Sequence, residues 1–266
     1  MVGTGWLRAP RTAVFKRGIH RAQRFLHGAW LTPIQDGYAR AIPLRFVPAL
    51  PETAVRRDLP ACKEWEAGWA FVAWVRAGLD QAGRVGQRLV VLGDGVYDTL
   101  GFWRGLPTGA IAIVRTARNR RLRELLPAEW AGDKRRKYEL HAPRPADWLA
   151  ERKGWLTTVV NVRGRLIQLR YRVKGPYVRQ GMPQCPLFLI VVGGATWKAG
   201  KQEPRRAPHQ PSFYLVSAVL EAPLSGRTTA LDPHQPSFYL VSAVQRDGQW
   251  QLPLAAETVL EWAWQR

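Results

Sequence analysis

Asp94 is the residue best placed for chemistry in this chain. It follows the apolar run Leu-Val-Val-Leu at 89–92 and stands between Gly93 and Gly95. A run of that length and β-branched content reads as a strand buried on both faces, so the carboxylate is presented where the chain leaves a sheet. Loops at that carboxyl edge are where open α/β sheets hold ligands and metal ions, because the strands beneath them are rigid. The same position also suits an Asx turn or a helix cap, which Asp followed by Gly favours without any ligand.

To present Asp94, a sheet with helices packed on it is required, and the flanking sequence predicts one. Residues 25–32 and 41–47 read as two strands joined across 33–37, with Pro43 placing the second at an edge or a bulge. Gln35-Asp36-Gly37 has hairpin-turn chemistry, which accounts for Asp36 better than a metal-ligand role. After a proline-rich connection at 48–60, Trp65, Trp69, Val72, Val75 and Leu79 recur at three- and four-residue spacing. That stripe predicts a helix over 63–82 packed on the sheet, stopped by Gly83. Beyond Asp94 come a short helix and a second apolar strand at 110–114. The order strand, strand, helix, strand, short helix, strand implies a mixed sheet covered by helices.

Charge is the strongest compositional signal. Lys and Arg number 40 against 20 Asp and Glu, a net charge of +20 over 266 residues, while 46% hydrophobic and 11% aromatic residues mark a folded chain. Such an excess attracts polyanions and makes their binding salt-dependent through counterion release, so nucleic acid is the expected partner. A ribosome-associated protein or a general bias toward Arg would share this composition. Cys62 and Cys185 are too few and too far apart for a disulfide framework, which fits a reducing cytoplasm. No apolar run reaches the length of a membrane span, and Arg8, Arg11, Lys16 and Arg17 interrupt any secretory leader.

The second half has a different texture. Arg115, Arg118, Arg120 and Arg121 follow the strand at 110–114, and Lys134, Arg135, Arg136 and Lys137 form a second basic cluster before Tyr138. Basic residues beside aromatic ones suit phosphate contacts with occasional base stacking. Residues 155–173 alternate around Arg163-Gly164 and read as a hairpin with Arg163, Arg165, Arg170 and Arg172 projecting. PHQPSFYLVSAV occurs at 208–219 and again at 233–244. One sheet position accommodates one such strand, and the second copy, which runs on into the C-terminal helix, is expected to take it. That helix, 254–264, should bury Ala256, Leu260 and Trp264. The N-terminal residues 1–24 read as a basic extended arm.

These features together resemble the nuclease core of DDE-type insertion-sequence transposases, which is ribonuclease H-like. The resemblance runs through GIHRAQRFLHGAWLTP (18–33), GYARAIPLRF (37–46), CKEWEAGWAF (62–71), the GDGVYD segment around Asp94, and SFYLVSAVQ with LPLAAETVLEWAWQR at the end, so it covers nearly the whole chain. It implies an α/β fold: an incomplete ribonuclease H-like mixed sheet with helices, plus a β-rich insertion. Residues 1–119 would be the N-terminal part of the core, 120–250 the basic insertion with the duplicated strand, and 251–266 the start of the helix that carries a catalytic Glu. In the family two Asp and one Glu hold two Mg²⁺ ions that drive phosphodiester cleavage and strand transfer. Asp94 matches the second Asp. The first Asp belongs to a strand that would precede Gly3, and the Glu to a helix extending past Gln265-Arg266. The resemblance therefore implies a truncated, inactive transposase fragment. Its expected partner is double-stranded DNA at transposon ends, with a possible homodimer on DNA, a cytoplasmic, nucleoid-associated location and no membrane contact. The alternative is a non-catalytic DNA-binding remnant that interferes with or assists an intact transposase.

Other motifs fall short. GDGVYDT is superficially similar to a phosphatase D-x-D-G-T loop, but Leu92 occupies the nucleophile position. Residues 194–201 miss phosphate-loop spacing, and Gln202 stands where Ser or Thr would bind Mg²⁺. His20, His27, His141, His209 and His234 lack zinc-ligand spacing. Glu257 and Glu261, upstream of the expected Glu, read as surface helix residues.

Overall fold

Strands that are apolar on both faces need cover on both sides, and that requirement organises the chain. The computed structural model describes residues 5–9, 18–22, 24–50, 52, 60–126, 141–197 and 237–264. In chain order the strands are β1 (Gly5–Ala9), β2 (Gly18–Ala22), β3 (Phe25–Leu31), β4 (Ala41–Pro48), β5 (Leu89–Gly93), β6 (Ala110–Arg115), β7 (Arg123–Glu124), β8 (Leu156–Val162), β9 (Arg165–Arg179), β10 (Met182–Trp197), β11 (Ser237–Ser242), β12 (Val244–Arg246) and β13 (Gln249–Gln251). The helices are α1 (Glu64–Gln81), α2 (Leu100–Arg104) and α3 (Ala256–Trp264). The fold is mixed α/β. No described helix is long and apolar enough to cross a membrane.

The main sheet runs β5-β6-β11-β10-β9-β7, with β8 also paired to β9. β5 and β6 are parallel, and the other pairings in this sheet are antiparallel. Alternation along each central strand divides the core into two layers. Leu89, Val91, Ala112, Val114, Leu189, Val191 and Leu240 face one way, toward Ala67, Phe71 and Val72 of α1. Val90, Leu92, Ile111, Ile113, Ile190, Val192, Tyr239 and Val241 face the other, toward Val259, Leu260 and Ala263 of α3. In α3 the buried set is Ala256, Val259, Leu260, Trp262 and Ala263, whereas Trp264 is only half-buried.

The segment 120–250 shares the sheet of the N-terminal half, since β11 hydrogen-bonds directly to β6. The second copy of the repeated sequence supplies β11, and the first copy lies outside the described residues. Residues 5–9 and 18–22 pair as antiparallel strands instead of running as an extended arm. Three hairpin turns follow their sequence chemistry: Asp36-Gly37, Arg163-Gly164 and Asp247-Gly248 all adopt positive φ at both positions. Two of them dock together, with Arg163 N–H donating to the Gly37 carbonyl at 2.6 Å.

The face of α1 differs from the one its large apolar residues predict. Of the five predicted positions only Val72 is buried; Trp65, Val75 and Leu79 are half-buried and Trp69 is 42% exposed. Small residues at Ala67 and Gly68 instead face the sheet, and the Tyr97 ring lies where a Gly68 side chain would begin, 2.5 Å from that point. The two indoles turn toward α2, where Gly101 and the C-cap Gly105 leave room for Trp65 and Trp69. Trp69 Nε1 donates to the Gly105 carbonyl. Close approach to the sheet thus outweighs burial of the widest side chains.

The hairpin β3–β4 forms a separate two-stranded sheet whose register shifts between Gly28 and Ala29, with Pro43 opposite Ala29. Leu26 joins the α1-side layer and Leu31 the α3-side layer, so β3 contributes to both. Gly28 lies under the Phe71 ring, with the site of an added Cβ only 2.2 Å from it. Gly28→Ala is expected to lower unfolding stability by ~1–3 kcal/mol through overpacking against a buried ring, as read by urea denaturation.

Candidate functional site at the carboxyl edge of the parallel strands

The parallel register aligns Gly93 with Val114, which sets Asp94 beside Arg115 at one edge of the sheet. Asp94 is half-buried. Its Oδ1 accepts from Val96 N–H at 2.9 Å and caps the 3₁₀ turn Gly95–Tyr97, so the local role anticipated for an Asp-Gly pair is realised. A second carboxylate, Glu64 in the first turn of α1, lies close enough to feel the Asp94 charge. Burial pushes the Glu64 carboxyl above its ordinary value, opposed by Arg24, and Asp94 adds to the upward push. Arg24 Nη1 reaches Glu64 Oε2 at 3.1 Å. The Tyr97 hydroxyl is also pushed up, first by burial and then by Glu64 and Asp94. Glu64 carries no distinctive motif; only its place at the start of a helix that crosses the sheet brings it near Asp94.

Four residues further on stands the most strongly held charge. The Asp98 side chain is fully buried. Its Oδ2 meets Arg120 Nε at 2.6 Å and accepts from Thr116 Oγ1 at 2.6 Å. Its Oδ1 accepts from Arg179 Nη1 at 2.8 Å and from Trp103 Nε1 at 3.1 Å. The Asp98 carbonyl accepts from the same two arginines, at 3.3 Å from Arg120 and 3.1 Å from Arg179. Burial lowers the Arg179 value, Asp98 raises it and nearby Arg120 lowers it again. Two guanidinium groups around one buried carboxylate leave net positive charge at this edge.

The basic residues named from sequence separate accordingly. Arg118 and Arg121 are exposed on the turn after β6, and Arg115 is half-buried beside Asp94. Arg120 is committed to Asp98. Lys134, Arg135, Arg136 and Lys137 lie outside the described residues. Arg170 projects as expected, but Arg172 does not: it is 1% exposed, pairs with Glu151 at 2.5 Å and stacks 4.0 Å from the Trp155 ring centre. Its neighbours Arg170 and Lys174 also lie over indoles, those of Trp155 and Trp148.

Asp94 and Glu64 do not make a two-metal cradle. Among the described residues no three His, Cys, Asp or Glu side chains converge on a point that could hold a metal ion. One Asp94 oxygen is engaged by a backbone amide and one Glu64 oxygen by Arg24. Mg²⁺ requires near-octahedral oxygen ligation, which this donor set does not supply. Of the helix carboxylates set aside earlier, Glu257 accepts from the Tyr171 hydroxyl, while Glu261 is half-buried.

Asp98→Ala is expected to cost ~3–5 kcal/mol of unfolding stability in urea denaturation, because Arg120 and Arg179 lose the charge that compensates them. A second expectation concerns Glu261, whose carboxyl burial holds above its ordinary value of 4.5. A raised folded-state value means that ionisation is disfavoured in the fold, so this group lowers stability as pH rises above 4.5 and no further once pH passes the raised value. Glu261→Gln should therefore melt at a higher temperature than the unmodified chain at pH 7, and the difference should vanish on acidification below 4.5.

Compared with protein-family models, curated proteins and solved structures, the chain matches none.

Proposed function

We propose that this chain is a DNA-binding protein of the DDE transposase type, with an incomplete ribonuclease H-like core, that does not cut DNA by itself. The observation that carries the reading is the shared edge: parallel pairing of β5 and β6 brings the Asp94 loop to the end of β6 at Arg115, from which the turn carrying the exposed Arg118 and Arg121 leads on. A carboxylate beside a basic turn suits a surface that approaches phosphodiesters, with the arginines supplying phosphate contacts. The net charge of +20 gives the same surface a long-range attraction for duplex DNA. Asp94 is then one member of a metal-binding set whose other members the described residues do not provide. On this reading the chain occupies transposon-end DNA and acts with, or against, an intact transposase.

Fluorescence anisotropy with duplex DNA tests the binding. The logarithm of affinity should fall linearly with the logarithm of salt concentration, and Arg118→Ala with Arg121→Ala should reduce that slope by about two. Absent or salt-insensitive binding would remove the proposal. End-labelled DNA incubated with Mg²⁺ should remain uncut; Mg²⁺-dependent cutting that disappears in Asp94→Ala would show that the metal-binding set is complete.

A further inference from the structure

Successive side chains of a strand point to opposite faces, so contacts reveal what covers each face of the β3–β4 hairpin. Leu26 and Val47 pack into the α1-side layer, the Phe71 ring covers Gly28, and the Arg45 guanidinium lies 5.1 Å from the centre of the Trp74 ring. Phe71 and Trp74 belong to α1, so α1 covers this face. The opposite face is covered at one end only. There Ala29 and Leu31 are buried, Leu31 in the α3-side layer. At the other end Phe25 lies opposite Pro48 and His27 opposite Phe46. All four are exposed, Phe25 by 49% and Phe46 by 61%. The His27 and Phe46 rings are stacked, with centres 4.5 Å apart and planes 6° from parallel. None of the four carries a formal charge, in a chain of net +20.

This open end lies at the same margin of the fold as Asp94. Ala49 N–H donates to the Arg24 carbonyl at 2.9 Å, and Arg24 Nη1 reaches Glu64 at the start of α1. One turn further along α1, Gly68 meets the Tyr97 ring of the Asp94 loop.

We propose that Phe25, His27 and Phe46 form a stacking platform for the unpaired bases of a DNA strand whose phosphates lie along the Asp94 edge. The inference rests on the DNA-binding reading above and adds which part of the DNA this face takes. Two requirements select the occupant. Open aromatic rings call for flat apolar groups, and every nucleobase presents a π-face that stacks on them. A chain of net +20 repels a second copy of itself and attracts a polyanion. Unpaired DNA meets both requirements, whereas in a duplex the base faces are already stacked on one another. Phe46, the most exposed of the rings, is the first contact.

Fluorescence anisotropy at one salt concentration with three DNAs tests the platform: a blunt duplex, the same duplex with an overhang of unpaired thymines, and the same duplex with an abasic overhang, which keeps the phosphates and lacks the bases. The thymine overhang should bind at least about fivefold more tightly than the abasic one, the lower limit for one stacked base. Phe46→Ala should abolish that difference and Phe46→Trp should retain it. Both should keep the melting temperature and blunt-duplex affinity of the unmodified chain, since the ring is mostly exposed. Equal affinity for the two overhangs, or a difference that survives in Phe46→Ala, overturns the platform and leaves duplex binding in place. Absent binding to all three DNAs removes the DNA-binding reading and the platform with it. A dimer of the unmodified chain that Phe46→Ala dissolves in sedimentation, with no preference for thymines, would assign this face to a second copy and overturn the platform.

Discussion

A single carboxylate withdrawn from water holds the carboxyl edge of the parallel strands together. Asp98 leaves the loop after β5, Thr116 and Arg120 leave the turn after β6, and Arg179 ends β9; all converge on the same two oxygens. Burying an ionised carboxyl group is costly unless opposite charge and hydrogen bonds accompany it, and here both do. Three segments distant in sequence are thereby locked to one point. Asp94 sits on the same short loop, four residues before this anchor, and caps the turn that leads into it.

Above and below that edge the sheet is covered unequally. α1 approaches through Ala67 and Gly68 and lets its indoles spread over α2, while α3 packs with Val259, Leu260 and Ala263. Small residues permit backbone proximity, and the bulk that proximity displaces has to go somewhere. Gly101 of α2 and Gly105, which caps its end, receive it. At the far margin, among the described residues, β5 pairs only with β6 and β3 only with β4, yet Leu26 and Leu31 of β3 feed the same two layers as β5.

Local chemistry was readable in the sequence because it depends on neighbours. The buried strands at 89–92 and 110–114, the bounds of α1 and the Asp-Gly and Arg-Gly turns need only short-range pattern, and each is present. What depended on distant partners was not readable. Arg172 was expected to project because an isolated arginine belongs in solvent, but Glu151, 21 residues away, and Trp155 enclose it. Arg120 finds its carboxylate 22 residues upstream, and Arg179 finds the same group 81 residues away. The proximity of Glu64 to Asp94 likewise arises from how α1 crosses the sheet. Hydrophobic periodicity ranked the α1 positions by size, whereas packing ranked them by how closely the helix must approach.

The place of β11 sets the order in which the molecule can be assembled. It lies between β6 and β10 but is encoded beyond both. During ribosomal synthesis β6 therefore waits with an unsatisfied backbone edge, next to apolar faces, until residues 116–236 have emerged. Pairings of such long sequence separation form slowly, and incomplete sheets are prone to wrong partners in the interval. Yield in the cell should thus be governed by how that waiting period is managed as much as by the depth of the final energy minimum.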